Sequence, residues 1–172
     1  MGEKAPLILI KGNEIVQDDW LLVSNDESLE ISINDKKQKI ILPLLLWLKN
    51  KNLYFNRSNI GVWIDSDEDP REIGADCNKL SLIAINFPIF NDGRGYSYAK
   101  ILKENFNYIG ELRAIGDVLC DQMYFYLKCG FTSFSIRRDE DPSQAIKSLN
   151  DFSMNYQAVS DHNQPIFHKR KL

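Results

Sequence analysis

The sequence is poor in the side chains that carry most redox and metal chemistry. Only two of its 172 residues are histidine, His162 and His168, and both lie near the carboxyl terminus. A histidine-based triad or a zinc site needs such groups converging from separate elements, so neither is expected. Three cysteines, Cys77, Cys120 and Cys129, show no CxxC spacing. They offer no four-ligand set for an iron–sulfur cluster and read as thiols of a reducing compartment, not as a disulfide framework. Neither a Walker A loop nor the GxGxxG fingerprint occurs, so no cofactor is identifiable. An excess of positive charge is missing as well: a net charge of -3 argues against a nucleic-acid footprint. Long apolar runs are missing. The most apolar stretch, Ile40 to Leu48, is interrupted by Pro43 and too short to span a bilayer. The amino terminus lacks the apolar segment of a signal peptide. These absences predict a cytoplasmic protein with neither nucleic acid nor membrane as partner.

What is present suffices for one domain with a core that needs no staples. Residues 1–58 read as a β-rich extension with a short helix. Leu7 to Ile10, Glu14 to Val16, Trp20 to Val23 and Leu29 to Ile33 look like short strands, the first two joined at Gly12-Asn13. Ile40 to Leu48 is ambiguous; Pro43 followed by Leu and Trp favours a short buried helix ending near Lys49-Asn50. Residues 59–159 alternate. Ile60 to Ile64, Leu80 to Asn86, Ile109 to Ile115 and Phe131 to Ile136 are strand-like, and each is followed by a helical stretch, ending near Lys79, Phe106, Cys129 and Leu149. Four βα units predict an α/β fold with a parallel sheet, either open or resembling part of a barrel. Residues 160–172 form a basic tail that frays. Ile64-Asp-Ser-Asp-Glu-Asp69-Pro70 echoes Ile136-Arg-Arg-Asp-Glu-Asp141-Pro142. Both place Asp at an N-cap and Pro at the first helical position.

The chain looks built for a ligand at one turn. Asp92-Gly93-Arg94-Gly95-Tyr96-Ser97 leads from a strand into a helix predicted from Tyr98, where free backbone N–H groups attract anions. Gly93 and Gly95 would let the backbone approach, Arg94 would supply a forked donor, and Ser97 would cap the helix or bind the anion. The alternative is a tight turn with Arg94 in solvent. Glu111 and Arg113 share one face of a strand, either as a mutual ion pair or with Arg113 reaching the pocket of Arg94. Asp117 reads as an N-cap for a helix from Val118, or as a site acid. Leu119, Met123 and Leu127 should face the core. Cys120, near that helix's N-terminus, would have a lowered pKa if reactive; the alternative is a buried, inert thiol. The acidic run Asp65 to Asp69 reads as a solvated loop and helix cap, with no metal site assigned.

These blocks carry a resemblance. Gly61-Val-Trp-Ile64 with Asp67-Glu-Asp-Pro70, Leu82-Ile-Ala-Ile-Asn-Phe87, Phe90-Asn-Asp-Gly-Arg-Gly-Tyr-Ser97 and Gly110-Glu-Leu-Arg-Ala-Ile-Gly-Asp117 lead it. Asp121-Gln122, Cys129-Gly-Phe131, Asp151-Phe-Ser153 and Tyr156-Gln157 complete it. Together they resemble a bacterial family catalogued as domain of unknown function 934. The resemblance implies a gene context beside sulfite or nitrite reductase haemoproteins and a label of oxidoreductase in sulfite reduction. It supplies no catalytic residues. The expected function is an accessory protein of assimilatory sulfite reduction that binds a small anion or the partner reductase at the carboxyl-end edge of the sheet. The site would comprise Gly93, Arg94, Gly95, Ser97 and Arg113. The alternative is a small-molecule enzyme, an oxidoreductase or other, using Asp92 and Asp117 with Arg94 and Arg113.

Overall fold

Eight strands form one sheet in the spatial order β2-β1-β8-β7-β6-β5-β4-β3. The computed structural model describes residues 8–24, 37–54 and 57–150. The strands are β1 (Ile8–Lys11), β2 (Glu14–Val16), β3 (Trp20–Leu22), β4 (Lys39–Pro43), β5 (Ile60–Ile64), β6 (Leu82–Phe87), β7 (Glu111–Gly116) and β8 (Ser133–Ile136). From β3 to β8 neighbours are parallel and follow chain order. β1 is antiparallel to β8, and β2 is antiparallel to β1. The helices are α1 (Leu44–Lys49), α2 (Lys51–Tyr54), α3 (Arg94–Lys100), α4 (Met123–Lys128) and α5 (Pro142–Asn150).

The α/β class is as expected, but a purely parallel sheet of four βα units is not what forms. Two antiparallel strands and two further parallel strands come from the stretch read as an extension. Ile40 to Leu48 is the clearest correction: its first half is a strand and only Leu44 onward is helical. Parallel pairing of β4 with both β3 and β5 outweighs the local helical pattern. Pro43 serves both halves, ending the strand in extended geometry and preceding the first helical turn. The candidate strand Leu29 to Ile33 lies outside the described residues. The helical stretch ending near Lys79 is two short 3-10 segments, Pro70–Glu72 and Gly74–Lys79, split where Gly74 takes φ +58°.

Sequential parallel strands joined by crossovers of one hand place their helices on one face, and such a sheet curls. The helical residues Leu44, Trp47, Ala99, Leu102, Met123, Tyr126 and Ala145 join Ile40, Val62, Ile83, Leu112 and Phe134 in the main core on that outer face. Ile41, Trp63, Leu82, Ala84 and Ile115, with Trp20 against them, form a second cluster on the inner face. The sheet is a curled half-barrel. Its curl follows from the connectivity. A flat sheet would hold its edge strands about 34 Å apart at roughly 4.8 Å per spacing. Yet only residues 17–19 join β2 at one edge to β3 at the other, a reach of at most about 15 Å. This strap therefore crosses the inner face. Among the described residues no helix is long and apolar enough to cross a membrane.

Candidate functional site

The carboxyl ends of β5 to β8 carry the loops in which the sequence placed its site, and all four are cross-linked. Arg94 donates from Nε to both Asp92 oxygens at 3.0 and 3.2 Å and from Nη2 to Oδ2 at 2.6 Å. Its Nη2 also donates to Ser66 Oγ at 3.2 Å. The Arg94 contact holds the Asp92 carboxyl down at about 2, so it is ionised throughout the neutral range. Asp92 Oδ1 also accepts from the Arg94 backbone N–H at 3.1 Å, so a carboxylate of the protein already stands at the first turn of α3. That helix begins at Arg94, four residues before the predicted start, and runs into a π-helical stretch, Ile101–Asn105.

The two glycines of the turn have different roles. Gly93 is exposed with φ -78°, and a Cβ there would meet nothing within 4 Å. Gly95 is buried: a Cβ there would come within 2.5 Å of Cζ of Phe87. It is the point where α3 packs directly on β6, so its backbone faces the core and not a ligand. Ser97 is exposed and lines a cavity of about 250 Å³ with Gly93, Tyr96, Lys100, Phe125 and Cys129.

Asp117 does not cap the following helix. Its Oδ2 accepts from the Phe90 N–H at 2.8 Å and its Oδ1 from Arg137 Nη1 at 2.9 Å, so it ties the loops after β6, β7 and β8 together. The role of N-terminal acceptor falls to Glu140, which accepts from the Cys120 N–H at 2.9 Å. Burial, with Glu140 beside it, pushes the Cys120 thiol up to about 12, the reverse of an activated cysteine. A 3-10 turn, Cys120–Gln122, precedes α4 and shifts its phase. Met123 and Tyr126 are buried, whereas Leu127 is exposed.

Arg113 does not join Arg94. It lies mid-strand on the inner face, about 10 Å from the carboxyl end of β7, with Ile115 next on that face. It is 2% exposed. Nε and Nη2 donate to Glu111 Oε1 at 3.1 and 2.8 Å, and Nη1 donates to both Asp18 oxygens at 2.9 Å. Glu111 in turn accepts from Lys11 and from Ser133, each at 2.7 Å. The mutual ion pair expected from the spacing is present. Asp18, 95 residues away in sequence, carries no local signal that would have found it. Local spacing is equally silent on the Ser66–Arg94 and Arg137–Asp117 contacts, which cross between loops, whereas Arg137 also pairs with Asp139 in its own loop.

The arrangement defines a mixed α/β protein of the curled-sheet type. Its carboxyl-end edge is knitted by ion pairs, and a charged cluster lies on its inner face. The chain belongs to the family described as bacterial protein of unknown function, DUF934, whose profile matches residues 61–167. No curated protein matches it.

Proposed function

We propose that this chain is a non-catalytic accessory protein of assimilatory sulfite reduction that docks a partner reductase through the carboxyl-end edge of its sheet. The exposed apolar group beside the paired arginines carries the reading. Ile89 and Phe90, in the loop after β6, are 55% and 49% exposed, and Phe125 of α4 is 48% exposed. Gln122 Nε2 donates to the Phe90 carbonyl, and the Tyr96 ring packs edge-on against Phe125, so the three residues belong to one surface. Apolar residues rimmed by paired charges are the ordinary composition of a protein interface. The sulfite-reduction assignment comes from the family resemblance alone.

Two features weigh against the enzymatic alternative. Asp92, ionised and gripped by Arg94, is a poor match for a group that must exchange protons near neutrality. Both oxygens of Asp117 are already engaged. The anion-binding variant is weakened for a related reason: Arg94 has its counter-ion within its own turn.

The test is direct binding of the purified sulfite reductase haemoprotein to the immobilised chain. Phe90→Asp should weaken binding by about tenfold or more, the scale of a central interface anchor. Equal binding by the variant and the parent chain, or no binding by either, would sink the proposal.

A further inference from the structure

The strap covers a cleft of about 520 Å³ whose walls include Leu9, Lys11, Trp20, Lys39, Glu111 and Arg113. In a closed βα barrel this place is filled by layers of side chains. Here the volume falls in the range of small-molecule sites, and it combines apolar walls with a few convergent charges.

The two carboxylates on Arg113 are not equivalent. Glu111 is built into the same strand and is fixed further by Lys11 and Ser133. Asp18 is delivered from the strap, and its other hydrogen bond comes from the Trp20 N–H within the same short segment. A buried guanidinium thus has one rigid carboxylate partner and one that arrives on a link of three residues. Nη1 donating to both carboxylate oxygens is a charge-assisted pairing of the kind by which arginine recognises a ligand acid. The other groups in the cleft suit the rest of such a molecule. The Lys39 ammonium lies 5.7 Å from the centre of the Trp20 ring and pairs at 2.6 Å with Asp19, a second carboxylate that the strap delivers to the cleft.

We propose that the cleft binds a small aromatic carboxylic acid and that Asp18 occupies the position of its carboxylate in the free protein. On binding, the ligand carboxylate takes Nη1 of Arg113 and the strap moves outward with Asp18. The ring lies along Trp20, and Lys39, released from Asp19 as the strap moves, turns towards the acid. Such exchange needs no change in the sheet, because Glu111 keeps its side of the guanidinium. This site lies at the amino ends of the parallel strands, away from the docking edge, and does not rest on the reading given for that edge.

Calorimetric titration with benzoate tests it, with benzamide and cyclohexanecarboxylate as comparisons. The parent chain should bind benzoate and neither comparison compound. Asp18→Asn, which removes the internal competitor but keeps the shape, should bind benzoate about tenfold more tightly. Trp20→Leu and Lys39→Ala should each bind it about tenfold more weakly, and these two variants leave the buried ion cluster untouched should Asp18→Asn fail to fold. Equal affinity of Asp18→Asn and the parent chain would overturn the proposal. So would binding by the variant alone, equal binding of cyclohexanecarboxylate, or no binding by any chain. Binding of the haemoprotein should be the same for Asp18→Asn and the parent chain, which separates failure here from failure of the docking surface.

Discussion

Glu111 shows how a single residue couples the inner face to pH. Burial alone would raise its carboxyl. Lys11, Ser133 and Arg113 outweigh that and leave it below its ordinary value of 4.5. The unfolded chain therefore takes up this proton at higher pH than the folded one. The resulting stability is complete above about pH 4.5 and is lost as pH falls through the folded value. Urea unfolding followed from about pH 6 down to about pH 3 should show the midpoint falling, and Glu111→Gln should flatten that part of the profile. A profile of unchanged slope in the variant would mean that other carboxylates carry the effect. Arg113 gives this residue its importance: protonating Glu111 leaves a guanidinium, 2% exposed, with Asp18 as its remaining carboxylate partner. Loss of one partner of a buried pair is costly because the other charge stays out of water.

At the scale of elements, α3 separates what can be read locally from what cannot. The Asp-Gly-Arg-Gly spacing marks a strand-to-helix turn, and the turn is there. Its two glycines look alike in sequence, yet only the fold shows that Gly95 meets Phe87 and Gly93 meets nothing. Gly95→Ala should destabilise by about 1–3 kcal/mol through overpacking against a buried ring. Gly93→Ala should be neutral or should stabilise by up to about 1 kcal/mol, since its φ of -78° suits any residue. Chemical denaturation of both variants checks the pair, and equal effects would contradict the packing. The same division runs through the molecule. Asp69 and Asp141 accept from the N–H groups of Arg71 and Ser143, as the repeated Asp-Pro pattern implied, because capping is decided within a few residues. The strands ending in Ile64, Phe87, Gly116 and Ile136 were visible as apolar runs for the same reason. The strand half of Ile40 to Leu48 was not, because its pairing partners Trp20 to Leu22 and Ile60 to Trp63 lie elsewhere in the chain. Arg94 and Arg113 look like neighbours in sequence because they belong to successive units. Mid-strand placement on the inner face separates them, and local spacing does not report how far a side chain stands from a sheet edge.

For the whole molecule, the sheet makes the first 58 residues hard to dispense with. β4 covers one side of β5, and β1 covers one side of β8. A chain beginning at residue 59 would leave both flanks of its remaining four strands unpaired. It should associate or fail to fold, because long unpaired apolar edges template contact with other chains. Size-exclusion chromatography and far-ultraviolet circular dichroism of that fragment check this. A monomeric, native-like fragment would show that residues 59 onward hold together alone.

The pairing of Ile8 with Ile136 has one more consequence, for synthesis on the ribosome. β1 is translated before its neighbour β8, and more than a hundred residues separate the two. At roughly 5–20 residues per second, the first strand waits on the order of ten seconds for its partner. Through that interval β1 and β2 have only each other, and an isolated hairpin is marginal in water. The nascent chain must therefore carry an apolar hairpin unfinished until β8 has emerged, and the sheet closes on that flank only when the later strand arrives.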